Sequence, residues 1–513
     1  MEEPRVSATE ITNVGGYHPH PGSGIIENQV GGPATSAGDG THRRLLSRSD
    51  VVSRRGGMYT RGVARKLLAG VVLAGCAVSV LGGGVSAGIS PARATVPSSA
   101  PVRGAAATRG TALAASLRAP RPAVAQLLSS QSKALIPNGL ALTPPMGWNG
   151  YNHFGRKVTA AIVEAAARAM VTSGLKAAGY TYVNLDGGWN LPARGAQGQL
   201  RANPRLFPGG IQHVVDYVHS LGLKFGIYAS AGTRNCAGSS AGSYGHYRQD
   251  AATFASWGVD YIKLDWCYVP YKSYPSRSHQ QVSQMLARQM GQAIAATGRR
   301  ILYDVNDTAV STAAWTWAAP VANVWRTTPD IRANYASMVA HFIRDVRDYH
   351  YAGRGGWNDP DMLEVGNGAM TATDSRTQFS LWAELAAPLI AGNNLTTMSS
   401  VTRGILTNRA VIAVDQDKLA RQGYPVASGR GHWVLTKLLA NGDRAVVLFN
   451  QTSTRATIST TTTRVGMRPA AAYTLSNLWT GAVTETAAVI TATVPAHGVV
   501  MYRVAQAGGL SGR

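Results

Sequence analysis

The chain has 513 residues, 45% of them hydrophobic and 15% charged, with 49 Lys and Arg against 26 Asp and Glu for a formal net charge of +23. That length allows two or three domains, and the apolar fraction excludes a chain disordered throughout. The charge invites a nucleic-acid reading, but residues 1–135 alone carry 15 basic against 6 acidic side chains, and no basic stripe or recognition motif supports nucleic acid as a partner.

Residues 1–57, rich in Ser, Gly and His, read as a disordered extension. In residues 58–94 a basic stretch, "RGVARK" (Arg61 to Lys66), precedes the uncharged run Leu67 to Ser90 and the small-residue site "ARA" (Ala92 to Ala94). This pattern predicts a signal peptide or, if uncleaved, a membrane anchor, and hence a secreted or surface-held protein. Met58 is an alternative start. The "LAGC" at Leu73 to Cys76 resembles a lipoprotein processing site, yet apolar sequence continues past the cysteine. Residues 95–135, rich in Ala, Pro and Ser, read as a linker. Of three cysteines, Cys236 and Cys267 lie beyond the signal segment. They are either one disulfide of an oxidising compartment or two buried thiols.

From residue 136 the texture changes. Eight short apolar runs follow, at 144–149, 180–189, 223–230, 259–266, 300–305, 323–328, 353–361 and 387–394. Helical patterns such as 160–179 and 280–298 lie between them, each ending in glycine. Strands alternating with helices over 136–422 predict an α/β fold, a (β/α)8 TIM barrel, and no glycine-rich phosphate turn supports a doubly wound sheet. Residues 423–507 read as a C-terminal antiparallel β-sandwich domain. A hairpin at His432 to Asn450 turns on "NGD", and alternation runs from Val489 to Val504.

In such a barrel the chemistry sits where the strands end. Asp186, Asp265, Asp304 and Asp361 fall at predicted strand ends, and Lys263 shares a face with Asp265 by the strand's period of two. The lysine is expected to keep Asp265 ionised, as a covalent nucleophile requires; the alternative is a purely structural ion pair. Arg326 and Asp330 follow the sixth run, and a second carboxylate in a loop suits a general acid. No His and carboxylate set at strand ends points to a metal. Gly355 and Gly356 read as a place of close backbone approach to substrate. The tryptophans read mostly as core, with sugar stacking open to any of them.

Seven motifs in order, "LTPPMGWNGYNHFG", "YVNLDGGW", "KFGIYASAGTRNCAG", "WGVDYIKLDWCY", "WRTTPDI", "GGWNDPDML" and "VIAVDQDKLARQG", together resemble glycoside hydrolase family 27, the α-galactosidases and α-N-acetylgalactosaminidases. The resemblance implies Asp265 as nucleophile and Asp330 as acid/base. It implies Tyr151, Asp186, Tyr228, Lys263, Arg326 and Asp361 around the terminal sugar, and a Cys236–Cys267 disulfide beside it. It implies a retaining exo-hydrolase of terminal α-linked sugars, foremost α-D-galactosides, with carboxyl groups about 5 Å apart and neither cofactor nor metal. Its partners would be oligo- or polysaccharides. Departures from the family pattern fall at Gly187, where a second aspartate is usual, at Tyr151, at Ser230 and in "YDVNDTA" (Tyr303 to Ala309). These leave isomalto-dextranase-like or β-L-arabinopyranosidase specificity open. A different class of reading, a non-catalytic carbohydrate-binding protein, is weighed against both acids being present.

Overall fold

A computed structural model describes residues 135–307 and 312–508. The expectations for residues 1–57, 58–94 and nearly all of 95–135 lie outside the described residues. Among the described ones, no helix is long and apolar enough to cross a membrane.

Eight strands form one parallel sheet: β1 (Met146–Asn149), β2 (Tyr182–Leu185), β3 (Lys224–Ser230), β4 (Tyr261–Asp265), β5 (Leu302–Asn306), β6 (Val324–Arg326), β7 (Trp357–Asp359) and β8 (Leu389–Ala391). Each coincides with one of the eight apolar runs, β5 passing its run by one residue at Asn306, because a strand buried on both faces has no polar alternation to show. Neighbours run in sequence order from β1 to β7, and β8 pairs with β1. The ring closes just past β7, where Leu363 N donates to Ile390 O and Gly392 N to Leu363 O, both at 2.8 Å.

Helices α1 (Tyr151–Phe154), α2 (Ala160–Thr172), α3 (Gly210–Ser220), α4 (Tyr247–Ser256), α5 (His279–Ala296), α6 (Tyr335–Asp345), α7 (Ala372–Leu385), α8 (Ser400–Leu406) and α9 (Arg409–Asp415) follow the strands. Ser278 and Gln281 form a reciprocal capping box that starts α5. The pattern at 160–179 is two pieces: Gly174 at φ 89° ends α2, and a short 3-10 turn, Lys176–Ala178, follows.

Leu140 and Ala141 seal the floor of the barrel against Tyr182, Tyr261, Leu302 and Val324. The glycine pair at 355–356 belongs to this floor and does not approach substrate, correcting the sequence reading. Gly355 N donates to Ala141 O at 3.0 Å, and a Cβ at Gly356 would stand 2.6 Å from the Trp325 ring.

The C-terminal domain is antiparallel. Strands β9 (Tyr424–Gly429), β10 (His432–Leu438), β11 (Arg444–Asn450), β12 (Ala456–Thr461), β13 (Tyr473–Asn477), β14 (Val483–Thr486), β15 (Val489–Val494) and β16 (Val499–Gln506) make a six-stranded sheet, β14-β13-β16-β11-β10-β9, and a β12-β15 pair. Ile458, Ile490 and Val494 of the pair pack on Val446, Leu448, Leu475 and Val504 of the larger sheet. The predicted hairpin is β10–β11. The alternating run 489–504 is two strands, β15 and β16.

Helix α7 is buried from Asp374 to Leu385 except at the exposed Arg376, held between barrel and sandwich. Hydrogen bonds cross that seam: Thr377 donates to His497 O at 2.8 Å, Trp479 Nε1 to Ser380 at 2.9 Å, and Lys437 Nζ to Ala383 O at 3.1 Å. Burial pushes the Glu384 and Asp415 carboxyls each up to about 8 against the pull of Lys437. Folded Glu384 therefore holds a proton, between its ordinary 4.5 and about 8, that the unfolded chain releases. The resulting stability is present below that window and is lost as pH rises through it. Glu384→Gln is expected to lessen the fall in Tm between about pH 5 and about pH 9, followed by circular dichroism. An equal fall in both proteins sinks this account.

Candidate active site

Strand register stacks the charged residues in tiers. Tyr228 pairs with Lys263 and Lys263 with Asp304, while Asp265 pairs with Asn306 one tier nearer the mouth. Asp186 follows Leu185, whose partner is Ile227, so it stands level with Tyr228 and Lys263. Above these tiers opens a cavity of about 460 Å³. It is lined by Tyr151, Asp186, Tyr228, Lys263, Asp265, Arg326, Asp330 and Asp361, all eight of the sugar-site and catalytic candidates.

Lys263 donates to Asp186 Oδ2 at 2.8 Å, which also accepts from Asn149 Nδ2 at 2.7 Å, while Asp186 Oδ1 accepts from Gly187 N at 2.7 Å. Burial alone would raise the Asp186 carboxyl, but the Lys263 charge and these bonds hold it below the ordinary range. Burial disfavours charge on Lys263 too, yet Asp186 and Asp265 outweigh it and keep the ammonium charged. The second pair is Arg326 with Asp361, at 2.8 Å. Arg326 also donates to Asn306 Oδ1 and Pro329 O, both at 2.8 Å, and to Asp330 Oδ1 at 3.1 Å. Asp361, at the left-handed φ of 78°, accepts from Ile331 N at 2.7 Å and Met362 N at 2.8 Å, which holds the strained backbone.

Asp265 has a different setting. Its Oδ1 accepts from Trp266 N at 2.9 Å, and its Oδ2 lies 2.9 Å from Cys236 Sγ. Cys236 is disulfide-bonded to Cys267. A disulfide sulfur carries no proton, so this contact excludes water without donating. Burial therefore pushes the Asp265 carboxyl up to about 6, with Lys263 opposing and the Asp186 and Asp330 charges adding to the rise. The alternative of a Lys263–Asp265 ion pair is corrected: the ammonium reaches across Tyr228 to Asp186, and it acts on Asp265 through its field, which favours the ionised form. The cysteines are a disulfide and not two thiols.

Asp330 leaves β6 in a loop with its side chain 83% exposed, against 2% for Arg326. Its charge nevertheless bears on Asp265, so the two carboxylates share the cavity. The Tyr228 hydroxyl accepts from Cys236 N at 3.3 Å. Tyr151 opens α1, its N–H donating to Asn149 Oδ1 at 3.0 Å.

Other strand-end readings change. Asp304 lies below the mouth, accepting from the Tyr261 hydroxyl at 2.9 Å. It lines a separate cavity of about 30 Å³ with Asn184 and Asp359. Asp304 Oδ1 and Asn184 Oδ1 have no protein partner, and the space admits an ordered water. Ser230 does not face the sugar cavity; its hydroxyl donates to Arg234 O at 2.8 Å. Gly187 does line it, and a Cβ there would make only ordinary contact with the Tyr228 ring, at 3.4 Å. The aromatic walls are Tyr151 and Tyr228; no tryptophan lines the cavity. Sequence reasoning missed Asn152, Arg156, Arg332, Met362 and Glu364, which also line it. Asn152 and Met362 stood inside quoted motifs and Arg156, Arg332 and Glu364 directly after them, yet none was singled out.

Two carboxylates of unlike exposure facing one blind cavity are the apparatus of glycoside hydrolysis. Comparison with known proteins agrees. Residues 143–417 match the family model described as alpha galactosidase A, and residues 429–504 that of the alpha galactosidase C-terminal beta sandwich domain. The chain is 42% identical over 372 residues to a probable alpha-galactosidase of Dictyostelium discoideum, covering 71% of this chain and 93% of that protein. It is 41% identical to an alpha-galactosidase of Cyamopsis tetragonoloba, covering 72% and 87%. The crystal structure of alpha-galactosidase I from Mortierella vinacea superposes with a TM-score of 0.68 at 33% identity, covering 72% of this chain and 98% of that one. The chain belongs to the α-galactosidase family of glycoside hydrolases, family 27.

Arg326→Met would leave Asp361 buried without its cation and orphan Asn306 Oδ1. It is expected to cost about 3–5 kcal/mol of unfolding free energy in urea titrations. A loss below about 1 kcal/mol, the scale of a surface pair, would contradict the geometry described.

Proposed function

We propose that the protein is a retaining exo-α-galactosidase in which Asp265 is the nucleophile and Asp330 the acid/base. The observation that carries this reading is the pairing of a buried Asp265, approached by the Trp266 N–H, the Tyr228 hydroxyl and an aprotic disulfide but bonded to no cation, with an exposed Asp330 on the same cavity. The names of the relatives support galactose as the sugar.

In the first step Asp330 gives its proton to the glycosidic oxygen while a carboxylate oxygen of Asp265 bonds to the anomeric carbon. The bond from that carbon to the leaving oxygen breaks, and the aglycone departs as an alcohol. In the second, Asp330 takes a proton from water, whose oxygen bonds to the anomeric carbon and displaces Asp265. Two inversions give net retention. Lys263, Asp186 and Asp361 form the closed end, where hydroxyls of one terminal sugar find donors and acceptors. Tyr151 and Tyr228 wall it. Arg326 positions Asp330 and Asp361 together.

Gly187 gives the shifted specificities their best footing, since it leaves one wall without a side chain. The deciding experiment is a panel of 4-nitrophenyl α-galactoside, α-N-acetylgalactosaminide, β-L-arabinopyranoside and α-glucoside, with isomalto-oligosaccharides. Fastest turnover on the α-galactoside is expected. Binding of sugars without turnover of any would establish the non-catalytic reading. On melibiose, proton NMR should show α-galactose before mutarotation. Asp330→Ala should lower kcat/KM on melibiose by about 10²–10⁴ and largely spare kcat/KM on an activated aryl galactoside, whose first step needs no acid.

The charged form of Asp265 is the reactive one, so kcat/KM is expected to fall as pH drops through about 6. Lys263 pulls that value down. Lys263→Met should therefore move the acid limb to higher pH, besides slowing turnover. A limb that stays in place or moves down argues against Asp265 as the titrating group.

Export is part of the proposal. The basic and apolar pattern of residues 58–94 and the disulfide at the site support a secreted or surface-held enzyme acting on oligo- or polysaccharides.

A further inference from the structure

Two arginines at the cavity mouth have no partner there. Arg156 and Arg332 both line the opening and are exposed. Neither guanidinium has an ion-pair or hydrogen-bond partner among the described residues, whereas Lys263 and Arg326 are each committed to carboxylates. The acids nearby are engaged as well: Asp330 with Arg326, and Glu364 with Asn152 and Asn367.

The arginines are nonetheless held in place by their surroundings. The stem of Arg156 lies on the backbone of Gly188, at φ 104°, where an added Cβ would stand 3.2 Å from the arginine Cβ. Its charge reaches the Tyr151 hydroxyl. Arg332 sits in a loop pinned on both sides: Ile331 N donates to Asp361 Oδ2 at 2.7 Å, and Arg332 N donates to Ser337 Oγ at 2.9 Å. Its carbonyl accepts from Asn334 N at 2.7 Å. A fixed backbone thus presents a free guanidinium two residues from Asp330.

We infer that the subsite for the leaving group takes an anionic aglycone, a carboxylate- or phosphate-bearing residue, which Arg332 and Arg156 bind. This rests on the glycosidase reading, in which Asp330 touches the glycosidic oxygen and its loop faces the departing group. Guanidinium groups match carboxylate and phosphate oxygens with paired hydrogen bonds. The overall charge agrees, since +23 for the chain less +9 for residues 1–135 leaves +14 for the remainder, a field that attracts an acidic polymer.

The test compares kcat/KM on 4-carboxyphenyl and 4-phosphonophenyl α-galactosides with that on the neutral 4-carbamoylphenyl α-galactoside. Wild type and Arg156→Gln/Arg332→Gln are measured at low and high salt. Leaving-group chemistry cancels, because each ratio of anionic to neutral substrate is compared between enzymes. The ratio is expected to fall about fivefold in the double variant and to fall with salt in the wild type only. The carboxylate and phosphonate arms identify which anion the mouth prefers. A ratio that is equal in both enzymes overturns the inference while the glycosidase reading stands. If wild type leaves even the neutral substrate intact, both fall together.

Discussion

Lys263 and Arg326 bring positive charge into the mouth of the barrel, and each is committed to a carboxylate other than Asp265. Burying a cation and an anion together is tolerable only when the geometry is good and the remaining lone pairs are satisfied. Asp186 meets that condition with three donors and Asp361 with three. The allocation leaves Asp265 inside a positive field but without a cation in contact. An oxygen clamped by an ammonium would have to break that bond in order to attack. Asp265 meets the disulfide sulfur and the Tyr228 hydroxyl, and neither is a cation that an attacking oxygen would have to leave. The cost appears as the upward push of burial on its carboxyl, moderated by Lys263 from one tier below.

The barrel was legible because fully buried parallel strands leave continuous apolar runs, and each of the eight strands coincides with one of them to within a residue. Boundaries were less so. The stop at Gly174 inside a helical pattern depends on a left-handed backbone that spacing does not reveal. The candidate site was legible at strand ends, since period-two alternation puts Lys263 and Asp265 on one face. It could not say which acid a long lysine would reach. That depends on the register across β2, β3 and β4, a relation between segments distant in sequence. Ser230 looked like a specificity position and is instead a backbone clamp. Arg156, in a short 3-10 turn (Gly155–Lys157), and Arg332, on a loop, carry no periodic signal, and only the folded chain brings them to one opening.

The frame that holds the mouth extends well below and behind it. Leu363 closes the sheet immediately after the segment bearing Asp361, and Trp382 of α7 donates to the Asp361 carbonyl at 2.8 Å. The same helix is buried against β10, β11 and β16, so the sandwich domain stiffens the strand end that carries Asp361, a proposed sugar ligand. Phe342 of α6 packs edge-on to Trp433 and Phe449 of the sandwich, and α6 follows the Asp330 loop. Two neighbouring strand ends, β6 and β7, are thus braced by the second domain. Strand ends β2 to β4 instead rely on ion pairing and the disulfide.

That division makes the disulfide part of the reaction chemistry as well as of the fold. Cys236 and Cys267 are 31 positions apart and join the loop after β3 to the end of β4. In a reducing compartment the same sulfur would be a thiol 2.9 Å from Asp265 Oδ2, able to donate a proton to the oxygen that has to attack. Oxidation removes that donor and fixes the Cys236 backbone, whose N–H holds the Tyr228 hydroxyl. The exposed position of Cys236 makes its state depend on the surrounding medium. Under the proposed function, the export expected from residues 58–94 and the setting of the proposed nucleophile agree on an oxidising environment.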